Sequence, residues 1–307
     1  VGWGEALPLA FGGALNGPLN GALERCALAL RELQGPQSRL ELERRLPNLP
    51  PAVAFALGAA LAEADGLVGA AARGWRPAPP SAWLLPAGTE ALAKAHALLV
   101  AHRAADPWPA GPSAPVPLTL KWKVGVHEEA DELEGLEQLL ELLPDQARLR
   151  LDANGGFSRA TAKRWAERLR GEERLEWLEQ PLDPADLEGL EHLAQRVPVA
   201  LDESLQREPA LRERWRGWQV RRPSQEGDPR PLLRALEAGR PKWMVSTSFE
   251  TGIGQRWLAH LAALQLAGPT PVAPGLAPGW RAAGGLGSEE PDAVWQAAGA
   301  RAFAERA

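Results

Sequence analysis

Hydrophobic and polar positions along this chain fall into two alternating rhythms. From Ser81 onward, short apolar or β-branched runs are separated by longer stretches in which apolar residues recur three or four apart. Short runs of this kind predict strands, and the longer spacing predicts helices. The strands fall at Ala82–Leu85, within Leu118–Gly125, and at Arg148–Ala153, Leu175–Glu179, Val197–Leu201, Trp218–Arg221 and Trp243–Ser246, with a weak eighth at Pro271–Ala273. Helices are expected at Thr89–His102, Glu128–Leu142, after an N-capping Ser158, after Asp183-Pro184, after Asp228-Pro229 and at Gly252–Leu266. A capping Asp followed by proline at the first helical position suits a helix start. Strands alternating with helices imply parallel βαβ units, and eight of them in about 200 residues predict a closed barrel. No glycine-rich phosphate loop follows the first strand, which argues against a dinucleotide fold.

Residues 1–80 read differently. A Gly/Pro-rich loop at Phe11–Asn20 leads into a helical pattern over Leu19–Leu33, and Pro51–Ala64 is apolar on nearly every side, as a buried helix would be. Trp75-Arg76-Pro77-Ala78-Pro79-Pro80 ends regular structure. The expected organisation is a first domain over 1–80, a barrel over 81–285 and a C-terminal segment over 286–307 that returns to the first domain. Val1-Gly2-Trp3-Gly4-Glu5 has the look of the middle of a strand, so the natural N-terminus is expected to be missing.

Bulk composition narrows the function. The 307 residues carry a net charge of −5, which argues against a nucleic-acid partner. The most apolar run, around Pro50–Ala62, is too short to cross a bilayer, and no signal peptide is visible. A lone cysteine, Cys26, excludes an internal disulfide and a cysteine-based zinc site, and it suits a reducing, cytoplasmic setting. The five histidines, His96, His102, His127, His192 and His260, fall on helices or loop edges and read as surface or structural.

Against that background one stretch stands out. Of 34 basic residues only five are lysine, yet two of them sit in Lys121-Trp122-Lys123. On a strand, alternate side chains share a face, so Lys121 and Lys123 lie side by side and Trp122 points the other way. Two adjacent ammonium groups repel, and the repulsion favours proton release from one of them. Lysine can serve as a base in a way that arginine cannot. The later strands end in Asp152, Glu179 and Asp202, and neighbouring strands lie about 5 Å apart. Three convergent carboxylates call for a cation. An all-oxygen set without histidine or cysteine favours Mg²⁺ over Zn²⁺.

These residues in this order, Lys121-Trp122-Lys123, Asp152-Ala153-Asn154, Glu179-Gln180-Pro181 and Asp202-Glu203-Ser204, resemble the signature of the enolase superfamily. Leu149–Gly155 and Leu201–Leu205 are most similar to the o-succinylbenzoate synthase family within it. The resemblance implies an α/β fold, a (β/α)7β TIM-like barrel with an N-terminal α+β capping domain whose first strands are missing from this sequence. It implies Mg²⁺, with Mn²⁺ as a substitute, held by Asp152, Glu179 and Asp202, with Asn154 and Glu203 supporting them. Lys123 would remove the proton α to a substrate carboxylate, the metal would stabilise the enediolate, and Lys121 would add positive charge. The reaction implied is a syn loss of water from 2-succinyl-6-hydroxy-2,4-cyclohexadiene-1-carboxylate, giving o-succinylbenzoate for menaquinone or phylloquinone synthesis. Ser246, Thr247, Ser248 and Gly275 match positions that approach the substrate's succinyl carboxylate. One position departs from the family: Arg222 stands where a second lysine is usual. It keeps the charge but is a poor acid–base group, which weighs against a two-base racemase. A cycloisomerase, an N-acylamino acid racemase and a catalytically weak metal-binding barrel stay open as alternatives. The expected partner is a small carboxylate, with no nucleic acid and no membrane. Oligomeric state is not readable.

Overall fold

A computed structural model describes residues 1–9, 18–69, 72, 74–105 and 117–304. The Gly/Pro-rich loop expected at 11–20 lies outside the described residues up to position 17.

In chain order, α1 (Pro18–Glu32), α2 (Arg39–Arg45) and α3 (Pro51–Ala64) come first, followed by β1 (Trp83–Leu85) and α4 (Glu90–Ala105). Next are β2 (Thr119–Lys123), α5 (Glu129–Leu142), β3 (Arg148–Asp152) and α6 (Arg159–Arg168). Then β4 (Leu175–Glu179), α7 (Leu187–Leu193), β5 (Val199–Leu201), α8 (Glu203–Arg207) and α9 (Leu211–Arg214) follow. The last elements are β6 (Trp218–Arg221), α10 (Pro229–Glu237), β7 (Trp243–Val245), α11 (Gly252–Leu266) and α12 (Pro291–Ala304). The strands form one sheet in sequence order, β1 through β7. Each pair from β1–β2 to β5–β6 is parallel, as βαβ connections require. The chain is therefore an α/β protein built on a seven-stranded sheet.

The chain divides into two compact units: Val1–Pro79 with Arg221–Pro241 and Val245–Ala307, and Pro80–Val220 with Lys242–Met244. In the second unit, alternate strand residues such as Leu120, Trp122, Leu149, Leu151 and Leu178 are buried with helix residues including Leu136, Leu139 and Trp165 in one apolar core. Helices cover that face of the sheet, so apolar residues recur at alternate strand positions, and that alternation is what made the strands legible. In the first unit, α3 is buried on two sides. Ala52 and Val53 pack with Cys26 and Ala29 of α1, while Ala54 and Leu61 pack with Leu46. An all-round apolar helix has found neighbours all round.

Three expectations are corrected. Pro271–Ala273 forms no strand; Gly275 makes only an isolated parallel bridge to Ser246. Pro271 and Pro274 flank it, and proline has no amide to give a ladder. Asp183-Pro184 starts a turn rather than a helix. The Asp183 carboxylate accepts from the Ala185 amide (2.8 Å), and α7 is capped instead by Asp186, which accepts from the Gly189 amide (3.0 Å). Val1–Glu5 is not part of a strand. It lies against α3 so closely that a Cβ on Gly2 or Gly4 would fall 1.8 or 1.9 Å from the Ala60 or Ala56 carbonyl oxygen. Its Glu5 carboxylate accepts from the Thr251 and Gly254 amides, both at 2.9 Å, at the start of α11. Burial holds that carboxyl above its usual range.

Several tryptophans have packing roles. Trp177 stacks against Trp218 with ring centroids 4.8 Å apart, and the Arg150 guanidinium lies 4.1 Å from the Trp177 ring. Trp75 meets Trp257 edge-on at 5.7 Å and His260 at 5.8 Å. Trp3 lies 6.1 Å from Trp295 of α12.

Candidate active site

Strand register places the charged residues of the second unit. Lys123 pairs with Asp152 across β2 and β3, Asp152 with Glu179 across β3 and β4, and Glu179 with Ala200 across β4 and β5. Asp202 follows Ala200 by two positions, the spacing that returns a side chain to the same face. All three acids are buried, with 2% of Asp152 and none of Glu179 or Asp202 exposed. Such groups stay charged only if cations or hydrogen bonds meet them.

Lys121 meets two of them. Its Nζ lies 2.8 Å from Asp152 Oδ2 and 2.6 Å from Glu179 Oε1. Burial works against the ammonium, but the fields of Asp152, Glu179 and Asp202 outweigh it and hold the lysine above its ordinary pKa. Burial likewise raises Asp152, yet the contact with Lys121 and the charge of Lys123 leave that carboxyl lowered. Glu179 ends raised, by burial first and then by its acidic neighbours, with Lys121 opposing. Lys121 therefore acts as a counter-ion to the acids.

Lys123 has a different setting. Its Nζ donates to Asn154 Oδ1 at 2.8 Å. Asn154, left-handed at φ 44°, donates its amide to Asp152 Oδ1 (3.0 Å) and its side-chain nitrogen to Glu203 Oε1 (3.0 Å). Asparagine tolerates that backbone region better than most residues. Glu203 is pushed up to about 7, by burial and by the charges of Asp202 and Asp152.

In the first unit, the Arg222 guanidinium donates to the Thr247 carbonyl at 2.5 Å, and its amide donates to Glu226 Oε1 at 2.7 Å. Thr247 Oγ1 donates to Glu250 Oε2 (2.5 Å) and accepts from the Phe249 amide (2.8 Å). The Ser248 amide also bonds Glu250, at 3.0 Å, while Ser246 Oγ donates to the Gly275 carbonyl at 3.3 Å. The hydroxyl of Thr247 is thus already engaged within its own turn.

Sequence reasoning passed over two residues that organise the strand ends. Buried Glu132 accepts from the amides of Gly125 (2.7 Å), Val126 (3.0 Å) and His127 (3.0 Å), fixing the turn that begins two residues after Lys123. Gln180, also fully buried, bridges the loops after β4 and β5 through its side-chain amide. Gln180 stood within the Glu179-Gln180-Pro181 motif, but the motif gave it no role of its own.

The donor chemistry suits a hard divalent ion: three buried carboxylates at neighbouring strand ends, with one ammonium between two of them. As they stand, no three His, Cys, Asp or Glu side chains among the described residues are gathered closely enough to cage a cation.

Known proteins resemble this chain in sequence and in fold. Residues 118–215, which carry all three acids and both lysines, match the family model described as enolase C-terminal domain-like. An o-succinylbenzoate synthase from Thermosynechococcus vestitus is 34% identical over 272 residues, covering 85% of this chain and 76% of that protein. The crystal structure of o-succinylbenzoate synthase from Thermosynechococcus elongatus BP-1, complexed with Mg in the active site, superposes with a TM-score of 0.69 at 30% identity, over 92% of this chain and 83% of that one. The L-Ala-D/L-Glu epimerase of Bacillus subtilis shares the fold, with a TM-score of 0.66 at 22% identity over 89% of this chain and 78% of its own. With a relative this similar over most of both chains, the protein belongs to the o-succinylbenzoate synthase family of the enolase superfamily.

Proposed function

We propose that this enzyme is a lyase that converts 2-succinyl-6-hydroxy-2,4-cyclohexadiene-1-carboxylate to o-succinylbenzoate, as its family membership implies. The observation that supports the reading most directly is the contrast between the two lysines of β2. Lys121 is ion-paired with Asp152 and Glu179, whereas Lys123 reaches past them to the neutral amide of Asn154. One lysine serves as fixed charge and the other as base.

On this reading Asp152, Glu179 and Asp202 hold Mg²⁺, with Mn²⁺ able to replace it. Bound there, the ion supplies positive charge for the substrate carboxylate and for the negative charge that grows on it as the α-proton leaves. Lys123 takes that proton, and the resulting ammonium returns it to the departing hydroxyl on the same face, so that water leaves and the ring becomes aromatic. Asn154 Oδ1 aims the lysine, and Glu203 fixes Asn154 from its other side. Lys121 keeps the excess of buried carboxylate charge from growing. Arg222 holds its proton too tightly to serve as a second base. Proton transfer is left to Lys123, which suits a one-face elimination and not a racemisation. Ser246, Thr247, Ser248 and Gly275 are proposed to approach the distal carboxylate. We also read the sheet as part of a (β/α)7β barrel over 81–285, capped by residues 1–80 with 286–307.

The deciding experiment is a spectrophotometric assay for the aromatic product with Mg²⁺, with Mn²⁺ and after chelation. Turnover that needs a divalent ion is expected. Absence of aromatic product under every condition, together with exchange of the α-proton and loss of chirality of an N-acylamino acid in D₂O, would overturn the reading in favour of a racemase.

A further inference from the structure

We propose that Gln180 is the positioning residue of the metal site, holding the backbone of Asp202 in place and tying the loops of all three acids together; this rests on the reading above. Gln180 follows Glu179 directly, is fully buried and adopts a left-handed φ of 34°. A non-glycine residue in that region is strained and persists only where its surroundings over-determine it. Here they do. Oε1 accepts from the Asp202 amide (3.2 Å) and the Ser204 amide (3.1 Å). Nε2 donates to the Leu182 carbonyl (3.0 Å) and to Ser204 Oγ (2.8 Å). Ser204 Oγ in turn donates to the Pro184 carbonyl at 3.2 Å.

A glutamine side chain has two donor hydrogens and two acceptor sites on its oxygen, and each has a partner. The network also fixes which way the amide points. Turned over, Nε2 would face two backbone N–H donors and Oε1 a carbonyl oxygen. The main chain of the same residue completes the clamp. Its amide donates to the Ala200 carbonyl (2.8 Å), and its carbonyl accepts from the Gly155 amide (2.7 Å). The loops that carry Asp152, Glu179 and Asp202 are therefore joined through one residue. Asp202 lies at the N-terminal boundary of α8, a helix of five residues, which is too short to fix its own entry. Glutamate at 180 would bury a fourth negative charge beside three others, and asparagine would fall short of the second loop.

The test is Mn²⁺ binding, read by electron paramagnetic resonance titration of the full chain, in the wild type, Gln180→Met and Ser204→Ala. Methionine keeps the length and removes all four side-chain hydrogen bonds. Partners of metal ligands are typically worth 10- to 100-fold in affinity, so Gln180→Met should bind Mn²⁺ at least about tenfold more weakly while its circular dichroism stays that of the wild type. Ser204→Ala removes one hydroxyl with its two hydrogen bonds, to Gln180 and to the Pro184 carbonyl, and should weaken binding about three- to tenfold. That second variant decides the matter if Gln180→Met does not fold. Wild-type Mn²⁺ affinity in a folded Gln180→Met, or in Ser204→Ala should the first be unfolded, would overturn the inference alone. A wild type that binds no Mn²⁺ would overturn the functional reading and this inference with it.

Discussion

Lys123 and Lys121 are two residues apart and have different partners, Asn154 for the first and both Asp152 and Glu179 for the second. Lys123→Ala should lower turnover about 10²- to 10⁴-fold, the usual contribution of a general base, while Mn²⁺ affinity stays close to that of the wild type. Undiminished turnover would sink the assignment. The alternation that put both lysines on one face was legible, since strand parity needs nothing but position. Separate roles for the two came only from the family resemblance, because the partners that distinguish them, Asn154 and Glu179, lie 31 and 58 residues away. His260 shows the same limit. On helical spacing it is one more histidine, yet it is buried, and its Nδ1 accepts from the Arg76 amide at 3.2 Å. Burial and the nearby Arg76 charge depress its pKa. A neutral ring is thus favoured in the folded chain, and as pH falls the unfolded chain takes up its proton first. The stabilising contribution is complete above the unfolded value of about 6.5 and is lost as pH falls through it towards the folded one. Urea midpoints measured from pH 7.5 down to 5.5 should decline in the wild type and decline less steeply in His260→Asn. Parallel declines would remove His260 from the account.

Helix and strand boundaries were legible where local chemistry sets them. The Ser158 cap, which accepts from the Thr161 amide at 3.1 Å, and the Asp228-Pro229 start of α10 are side chains bonding their own neighbours. Asp183-Pro184 has the same local pattern and forms a turn, because Asp186, three residues on, makes the cap. The turn between β2 and α5 lies beyond such reading. Its order comes from Glu132, whose carboxylate collects three amides of a turn that local sequence alone leaves undetermined. Removing a shared buried acceptor leaves its donors without partners. Glu132→Ala should cost about 2–4 kcal/mol, seen as a lower urea midpoint with an unchanged slope. Glu132→Gln should cost less, because one acceptor oxygen survives. A midpoint within error of wild type for the alanine variant would show that the turn holds itself.

At the scale of the whole molecule, the break at Trp75–Pro80 was visible in the sequence, and the two compact units divide at Pro79/Pro80. That Arg221–Pro241 and residues 245–285 group with the first unit was not visible, because grouping follows packing between segments far apart in the chain. No helix among the described residues is long and apolar enough to cross a membrane. Stability of the folded chain then turns on the buried charge at its strand ends. Asp152, Glu179 and Asp202 raise one another's cost, and the upward shift of Glu179 has both neighbours among its causes. A ligand that binds only the folded state stabilises it by about 2.7 kcal/mol at one hundred times its dissociation constant. Saturating Mg²⁺ should therefore raise the melting temperature of the wild type, and chelation should return it. Asp202→Asn should behave in the opposite sense in each condition. Without metal it removes one of three like charges from a buried place and should melt no lower than the wild type. With metal it lacks a ligand and should gain little. A Mg²⁺-induced rise in Asp202→Asn equal to that of the wild type would separate the stabilising ion from these acids and place it elsewhere in the molecule.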